Sequence, residues 1–378
     1  MKIQVKNGKI SACIFLVIMA LIIAYLSSIF MAQWQEEAIY PSADVDEIKM
    51  LSEYYPDLKG TPMDTEVFIF RGEKPGAAML VLGNTHPTEP SALLSTTLIL
   101  ENAQVEEGDL YIIPRTNKSA MTHSDPQDAN PMGVHIETPN GTRYFRIGSR
   151  FTNPIHQWPD PDIYYHNAGQ LLAGRETRNV DRTYPGDVNG NLTEKLCHGI
   201  IELINAEEID FVIDTHEGSP EYPTINVMIT HQKALDLAGL TALNCAFAGI
   251  DLRIDPSPVN LHGFSHREIG DHTNAMAVLV ETVNPVQGRL TGKKNEELAL
   301  YGKDKFYAYA SENSDRLFTE YPEEGITLDQ RVARHVETIM QLAISYNELE
   351  LGEQLIINNI PYYDDIIANG IGAYLPIK

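Results

Sequence analysis

Two apolar, strand-like runs that each end in candidate metal ligands constrain this chain most. The run 77–82 is followed by His86 and Glu89, three residues apart, and the run 209–213 is followed by His216. Open α/β sheets gather functional side chains at the carboxyl ends of their strands. Two histidines and one carboxylate form the ligand set of a catalytic zinc that keeps a fourth position open for water. The pattern therefore predicts one zinc ion, bound by these three side chains.

The N-terminal residues form a candidate membrane segment. Three lysines precede an apolar run from Ile10 to Ala32, which is long enough to cross a bilayer as one helix. Because basic flanks stay in the cytoplasm, the rest of the chain is expected to lie outside it. The alternative is secretion after cleavage of a signal peptide, but the large Phe30 spoils the small-x-small pattern before Gln33. We therefore expect a retained anchor.

The charge and the cysteines exclude several classes of partner and site. The net charge of −24 argues against nucleic acid or anionic lipid as a partner of the exported part. Only Cys197 and Cys245 lie outside the candidate membrane segment, so neither a disulfide framework nor a Cys-x-x-Cys metal site is expected. The sequence leaves the oligomeric state open.

Alternating strand and helix patterns predict an α/β fold, with a mixed, twisted sheet flanked by helices and one transmembrane helix before it. The expected domains are a membrane anchor or signal segment at 1–32, a stalk and lead-in at 33–60, the main domain at 61–350 and a C-terminal extension at 351–378. The predicted strands are 67–70, 77–82, 110–113, 209–214, 226–230 and 275–280, and the predicted helices are 44–55, 90–100, 196–204 and 328–346. A loop-rich insertion at about 114–166 interrupts the main domain, with one hairpin at 134–146.

Two further features suit an active site. Arg175, Arg178 and Arg182 lie in one loop, where their forked N–H donors could bind a carboxylate. The apolar run 275–280 ends at Glu281, where desolvation would raise the pKa of the carboxyl towards that of a general base. Each feature alone is more often a solvated salt-bridge patch or a polar strand end. Their occurrence together with the predicted zinc ligands favours catalysis.

These motifs resemble the zinc carboxypeptidase superfamily, and within it the succinylglutamate desuccinylase/aspartoacylase branch. The resemblance covers roughly residues 65–290. His86-Pro87-Thr88-Glu89 resembles the paired first zinc ligands of the family, and His216 resembles the third ligand. Arg182, before Tyr184-Pro185-Gly186, resembles the arginine that binds the substrate carboxylate, and Glu281 resembles the catalytic glutamate.

The resemblance implies a mechanism. A zinc ion would activate water, and Glu281 would take the proton of that water and pass it to the leaving amine. Arg175 or Arg178 would stabilise the oxyanion, and spacing does not choose between them.

The chain departs from the family beside its substrate arginine. Asp181-Arg182 stands where the family usually has Asn-Arg, and a carboxylate there would repel an anionic substrate unless an arginine neutralises it. Asn179 and Asp181 are still predicted to line the substrate pocket with Arg182. Arg146 and Arg150 are additional candidates for substrate contact.

We therefore expect a zinc-dependent hydrolase that cleaves an amide bond of an acylated amino acid or peptide. An exported metallocarboxypeptidase acting on peptides or cell-wall peptides is the first alternative, and a non-catalytic surface binding protein on the same fold is the second. A serine hydrolase is disfavoured because the chain contains no Gly-x-Ser-x-Gly elbow. The expected partners are a substrate with an amino-acid moiety and, through the N-terminal helix, the membrane.

Overall fold

The computed structural model describes residues 2–124 and 131–377. Residues 125–130 of the predicted insertion lie outside the described residues, as do the side chains of residues 1–7, which include the first two of the N-terminal lysines. The chain divides into two compact units, Met1–Glu36 and Glu37–Lys378.

The first unit consists of helix α1 (Lys2–Ala32) and the four residues after it. Its segment Gly8–Ala32 has 25 residues and is long and apolar enough to cross a membrane. Among the described residues, no other helix meets those two criteria. The predicted apolar N-terminal helix is confirmed, and its length and composition suit either a membrane anchor or a signal sequence.

The second unit contains a sheet of nine strands and two small hairpins. The strands are β1 (Glu47–Met50), β2 (Glu66–Arg71), β3 (Lys74–Leu82), β4 (Gln104–Ile113), β5 (Gly133–Thr138), β6 (Gly141–Arg146), β7 (Ile163–Tyr165), β8 (Leu171–Ala173), β9 (Phe211–Gly218), β10 (Val227–Thr230), β11 (Arg253–Pro256), β12 (Met276–Val283) and β13 (Ile356–Asn358). The helices after α1 are α2 (Pro90–Asn102), α3 (Leu192–Ala206), α4 (Leu235–Phe247), α5 (Ser265–His272), α6 (Glu296–Tyr301), α7 (Lys305–Asn313), α8 (Leu328–Glu348) and α9 (Tyr363–Asn369).

The large sheet has the order β1-β2-β4-β3-β9-β12-β10-β11, and β13 pairs with β4. Strands β3, β9 and β12 are parallel neighbours, whereas β1, β10 and β13 each pair with a neighbour in the antiparallel sense. The predicted fold class, a mixed sheet flanked by helices, is confirmed. Because β3, β9 and β12 run in the same direction, their carboxyl ends lie at one edge of the sheet.

Helices cover both faces of the sheet. In β3, Met79 and Val81 belong to a core that includes buried residues of α2, α4 and α8. Leu80 and Leu82 belong to a second core, which includes buried residues of α3. Successive strand residues point to opposite faces, so a strand buried on both sides is apolar at nearly every position. This explains why the runs that predicted the sheet are continuous rather than alternating.

The lead-in differs from its predicted structure. The expected helix at 44–55 was wrong, because Glu47–Met50 forms β1 and pairs with 66–69 in β2. Within the predicted stalk, residues from Glu37 onward belong to the second unit. The Glu37 carboxylate accepts a hydrogen bond of 2.7 Å from Nε of Arg146, and both side chains are buried. Arg146, an additional candidate for substrate contact, therefore forms a buried ion pair with Glu37.

A buried ion pair joins the sheet to α8. Nη1 of Arg331 lies 2.5 Å from Oε1 of Glu217 in β9, and both side chains are fully buried. The backbone N–H of Ser91 and the side-chain amide of Asn284 donate to the other carboxylate oxygen. Burial raises the pKa of Glu217, and the positive charge of Arg331 opposes that rise. The ion pair therefore gives the buried carboxylate a counterion inside the core.

Loss of one partner of this pair is expected to destabilise the protein strongly. Arg331→Met leaves the charge of Glu217 buried without its counterion, which should reduce the free energy of unfolding by about 3–5 kcal/mol. The double variant Arg331→Met/Glu217→Gln removes both charges and should recover at least half of that loss. Urea unfolding of the full chain in detergent measures both, with exposed Arg316→Met as the control. Equal losses in the single and double variants would contradict this account.

Candidate active site

The turn after β3 holds the first two predicted ligands. His86 and Glu89 are each about 1% exposed, and Glu89 is the residue directly before α2. A Cβ atom on Gly83 would lie 2.3 Å from Oγ1 of Thr96 and 2.9 Å from the backbone oxygen of Ala92. Only glycine therefore fits where the turn approaches α2. This close approach fixes the backbone that carries both ligands.

The Glu89 carboxylate lies between two imidazoles. Its Oε1 is 3.0 Å from Nδ1 of His86, and its Oε2 is 3.0 Å from Nδ1 of His216. The two rings are 4.8 Å apart between centroids and are nearly perpendicular, at 72°. The structure thus brings the three predicted ligands together in one buried cluster.

Asn179 sets the orientation of His86. Its Oδ1 lies 2.9 Å from Nε2 of His86, and it also accepts the backbone N–H of Asp181, which identifies it as the acceptor. Nε2 therefore carries a proton, and the lone pair of a neutral His86 faces Glu89. Burial lowers the pKa of His86, which favours that neutral form. Asn179, predicted to bind substrate, instead contacts a candidate ligand.

Nδ1 of His86 and Oε1 of Glu89 lie 3.0 Å apart, a contact that either a proton or a metal ion between the two atoms would stabilise. Ligand atoms bound to one tetrahedral zinc lie roughly 3.3 Å apart, close to this separation. At His216, burial would lower the pKa, but the carboxylates of Asp214, Asp181 and Glu89 raise it well above its ordinary value. We call the side of the cluster where the two Nδ1 atoms face Glu89 the Nδ1 edge. This edge suits a divalent cation.

Two aspartates flank the other edge of His216. Its Nε2 lies 3.0 Å from Oδ2 of Asp214, off the hydrogen-bond direction, and 3.5 Å from Oδ2 of Asp181. The Thr85 hydroxyl donates to the second oxygen of Asp214 at 2.8 Å. His86, Asp181 and His216 thus form a buried group that could also hold a metal, with candidate ligand atoms within 4.8 Å of one another.

The Nδ1 edge is the better of the two positions. Glu89 lies 3.0 Å from each Nδ1 atom, whereas the group that includes Asp181 is wider. The Nε2 atom of His86 is already occupied by Asn179. Asp181, predicted to line the substrate pocket, directs its carboxylate towards His216 instead of away from the cluster.

Glu281 lies beside this cluster. It is paired with His216 in the parallel register of β12 and β9, so the two side chains emerge on the same face of the sheet. Its Oε2 is buried and has no hydrogen-bond partner among the described residues. Burial raises the pKa of Glu281 well above its ordinary value; Glu89 adds to this rise, and His216 opposes it.

The two arginines predicted to stabilise the oxyanion are occupied elsewhere. Arg178 donates to both carboxylate oxygens of Asp160, at 2.7 and 2.9 Å, and to the backbone oxygen of Thr152. Arg175 is about half exposed and lies over the ring of Phe151, 4.8 Å from its centroid. The contacts of Arg178 with Asp160 and Thr152 direct its guanidinium away from Glu281 and the three ligands.

Arg150 and Arg182 lie closer to the cluster. Nη1 of Arg150 is 3.7 Å from Oε1 of Glu89, and its side chain is 30% exposed. Arg182 stacks on Phe264 at 4.0 Å, and burial lowers the pKa of its guanidinium. Arg182 forms no ion pair with a carboxylate side chain in the described parts of the chain. Arg150 and Arg182 are thus both near Glu281. The sequence predicted Arg182 as a substrate-binding residue and Arg150 only as an additional candidate for substrate contact.

No protein-family model and no curated protein sequence matches the chain. Solved structures similar to it include product-bound cell shape determinant protein Csd4 of Helicobacter pylori, with a TM-score of 0.44, 14% identity and coverage of 81% of this chain and 60% of that one. A metallo-carboxypeptidase of Burkholderia cenocepacia has a TM-score of 0.42 and 9% identity, with coverage of 79% and 68%. The ectoine utilization protein EutE (DoeB) of Ruegeria pomeroyi has a TM-score of 0.35 and 14% identity, with coverage of 65% and 63%. This chain therefore spans about 60% of the length of Csd4, and scores this low carry no conclusion about its activity.

Asn179 should control metal affinity without being a ligand. In Asn179→Ala, His86 loses the partner that orients its ring, so the affinity for Zn²⁺ should fall about ten- to a hundredfold. Competition with a chromophoric chelator measures this affinity in the full chain. Asn244→Ala, which removes a partly buried amide on α4, is the matched control and should bind like the wild type. Unchanged affinity in Asn179→Ala, with metal lost in His86→Ala, would place the ion away from the Nδ1 edge.

Proposed function

We propose that this chain is a zinc-dependent hydrolase that cleaves an amide bond next to a carboxylate-bearing amino-acid moiety. The observation that carries the proposal is the position of Glu281. Glu281 is aligned with His216, beside the cluster of His86, Glu89 and His216, and its buried Oε2 has no hydrogen-bond partner among the described residues. A general base next to an open metal site is the arrangement that hydrolysis by activated water requires.

The Nδ1 atoms of His86 and His216 and the carboxylate of Glu89 would hold the zinc. When bound, the metal polarises the scissile carbonyl and lowers the pKa of water at the open position. Asn179 keeps Nε2 of His86 protonated, so its Nδ1 lone pair is available to the metal. The Asp214 carboxylate lies 3.0 Å from Nε2 of His216. Its negative charge would make Nδ1 of the same ring a stronger ligand for the metal.

Glu281 would transfer the proton. Its free oxygen has no competing donor, so it can accept a proton from the attacking water. The same carboxyl group then delivers the proton to the departing amine, which becomes a neutral leaving group. Its place on a central strand, instead of a loop, holds the base in position through both steps.

Arg182 and Arg150 would bind the substrate carboxylate and stabilise the oxyanion, respectively. Arg182 is partly buried, stacks on Phe264 and has no carboxylate partner in the described residues, so its guanidinium can bind the substrate carboxylate with a pair of parallel hydrogen bonds. Arg150 lies next to Glu89 and remains partly exposed, which suits a donor to the oxyanion that develops on the carbonyl.

Two substrate classes present this amide bond. N-acyl amino acids are the first, as expected for a deacylase of the succinylglutamate desuccinylase/aspartoacylase type. Peptides with a free C-terminus, including cell-wall peptides, are the second, and the apolar helix α1 favours them because an anchored or exported enzyme meets peptides outside the cytoplasm. In both classes the carboxylate would bind Arg182 and the amide would lie over the metal.

Replacement of Glu281 should separate catalysis from metal binding. In Glu281→Gln the zinc content should stay unchanged, whereas kcat/KM should fall by about 10²- to 10⁴-fold because no base takes the proton. Activity is measured on a panel of N-acyl amino acids and of peptides with L- and D-configured ends, and metal content by elemental analysis. Exposed Glu297→Gln is the control. A wild-type protein that binds zinc but cleaves neither class would support the non-catalytic alternative instead.

Arg150 and Arg178 should respond differently to the same substitution. Arg150→Gln removes the proposed oxyanion donor, so kcat/KM should fall by about 10²- to 10³-fold with an unchanged melting temperature. Arg178→Gln breaks the contacts to Asp160 and Thr152, so the melting temperature should fall by roughly 2–4 °C for each kcal/mol lost. Its kcat/KM per folded enzyme should change less than that of Arg150→Gln. The reverse pattern would restore Arg178 as the oxyanion arginine.

A further inference from the structure

We propose that a second site, remote from the metal cluster, binds a small apolar α-amino acid in its zwitterionic form. The site is a cavity of about 530 Å³ between β12, α7, α8 and α9. Its polar lining includes Asn226, Thr282, Ser311, Glu320, Gln330 and Arg334. A volume in this range is typical of small-molecule sites, at about 300–1,000 Å³.

Arg334 supplies the positive charge of the cavity. Nη2 donates to the backbone oxygen of Asp251 at 2.6 Å, and the described residues offer the guanidinium no other hydrogen bond and no ion pair. The Arg334 side chain is partly buried, and this burial lowers the pKa of its guanidinium. A partly buried guanidinium with free forked donors is suited to a carboxylate.

Two acceptors in the same cavity lack donors. Oγ1 of Thr282 and Oδ1 of Asn226 are buried, and neither has a hydrogen-bond partner in the described structure. The amide nitrogen of Asn226 is already directed at Thr319, which leaves its oxygen facing away from that contact. A buried acceptor without a donor destabilises the protein, and an ammonium group would satisfy both oxygens. Exposed Glu320 adds negative charge to the same lining.

The rest of the lining is apolar. Val283 and Ile326 border the cavity together with the rings of Tyr321 and Tyr363. A ligand with a carboxylate, an ammonium group and a branched aliphatic side chain matches all three kinds of surface. This combination describes an amino acid such as leucine.

The cavity is separate from the candidate active site. Thr282 follows Glu281 on β12, and successive strand residues point to opposite faces of the sheet. Thr282 is aligned with Glu217, whose carboxylate contacts α8, and not with His216. The inference therefore does not depend on the proposed hydrolase activity.

Calorimetric titration of the full chain in detergent with L- and D-leucine tests the site. We expect at least one of them to bind the wild-type protein at micromolar to millimolar concentration. Each of two leucine analogues, 4-methylpentanoate without the ammonium group and isopentylamine without the carboxylate, should bind at least about tenfold more weakly, because each leaves one set of polar groups unsatisfied.

Variants assign the binding to the cavity. Arg334→Gln should weaken leucine binding about tenfold or more, and exposed Arg316→Gln should leave it unchanged. Because Arg334→Gln could impair folding, Thr282→Val provides a second measurement: it keeps the shape and removes one acceptor, so leucine affinity should fall while affinity for 4-methylpentanoate is retained. Glu281→Gln should bind leucine like the wild type. The proposal is overturned by absence of leucine binding, by binding that neither cavity variant changes, or by binding that Glu281→Gln abolishes.

Discussion

A carboxylate shared by two buried imidazoles is the interaction on which this site depends. The oxygens of Glu89 each lie 3.0 Å from an Nδ1 atom, one of His86 and one of His216. Such proximity is stable only if positive charge occupies the space between them, as protons or as a metal ion. The parallel strands β3, β9 and β12 make this meeting possible because they deliver all the participating residues to one sheet edge.

The sequence was sufficient for the central strands of the sheet and for the proximity of His86, Glu89 and His216. Strands buried on both faces must be continuous apolar runs, and those at 77–82, 209–213 and 275–280 could be read directly from the chain. Candidate ligands that follow such runs converge when the strands are parallel neighbours. The hairpin at 134–146 was equally readable, because Pro139-Asn140-Gly141 is a strong turn signal.

Side-chain direction and long-range pairing could not be read from the sequence. Arg175 and Arg178 precede Arg182 by only a few residues, yet Phe151 and Asp160 of the insertion engage them. Asn179 also lies in this loop but turns towards His86. No local signal distinguishes these outcomes, because each partner lies more than ten positions away along the chain. Residues 47–50, inside the expected helix at 44–55, form a strand for the same reason: pairing with β2 overrode their helical pattern.

The close packing of Gly83 against α2 affects how the site accepts an ion. The backbone at Gly83 lies so close to Thr96 and Ala92 of α2 that a Cβ atom there would overlap them, so the turn that carries His86 and Glu89 is packed tightly against this helix. The conformational entropy of ordering His86 and Glu89 is therefore lost when the chain folds, and not when the ion binds. Because a preorganised site rearranges little when the ion binds, the ion binds more tightly than it would to a flexible site.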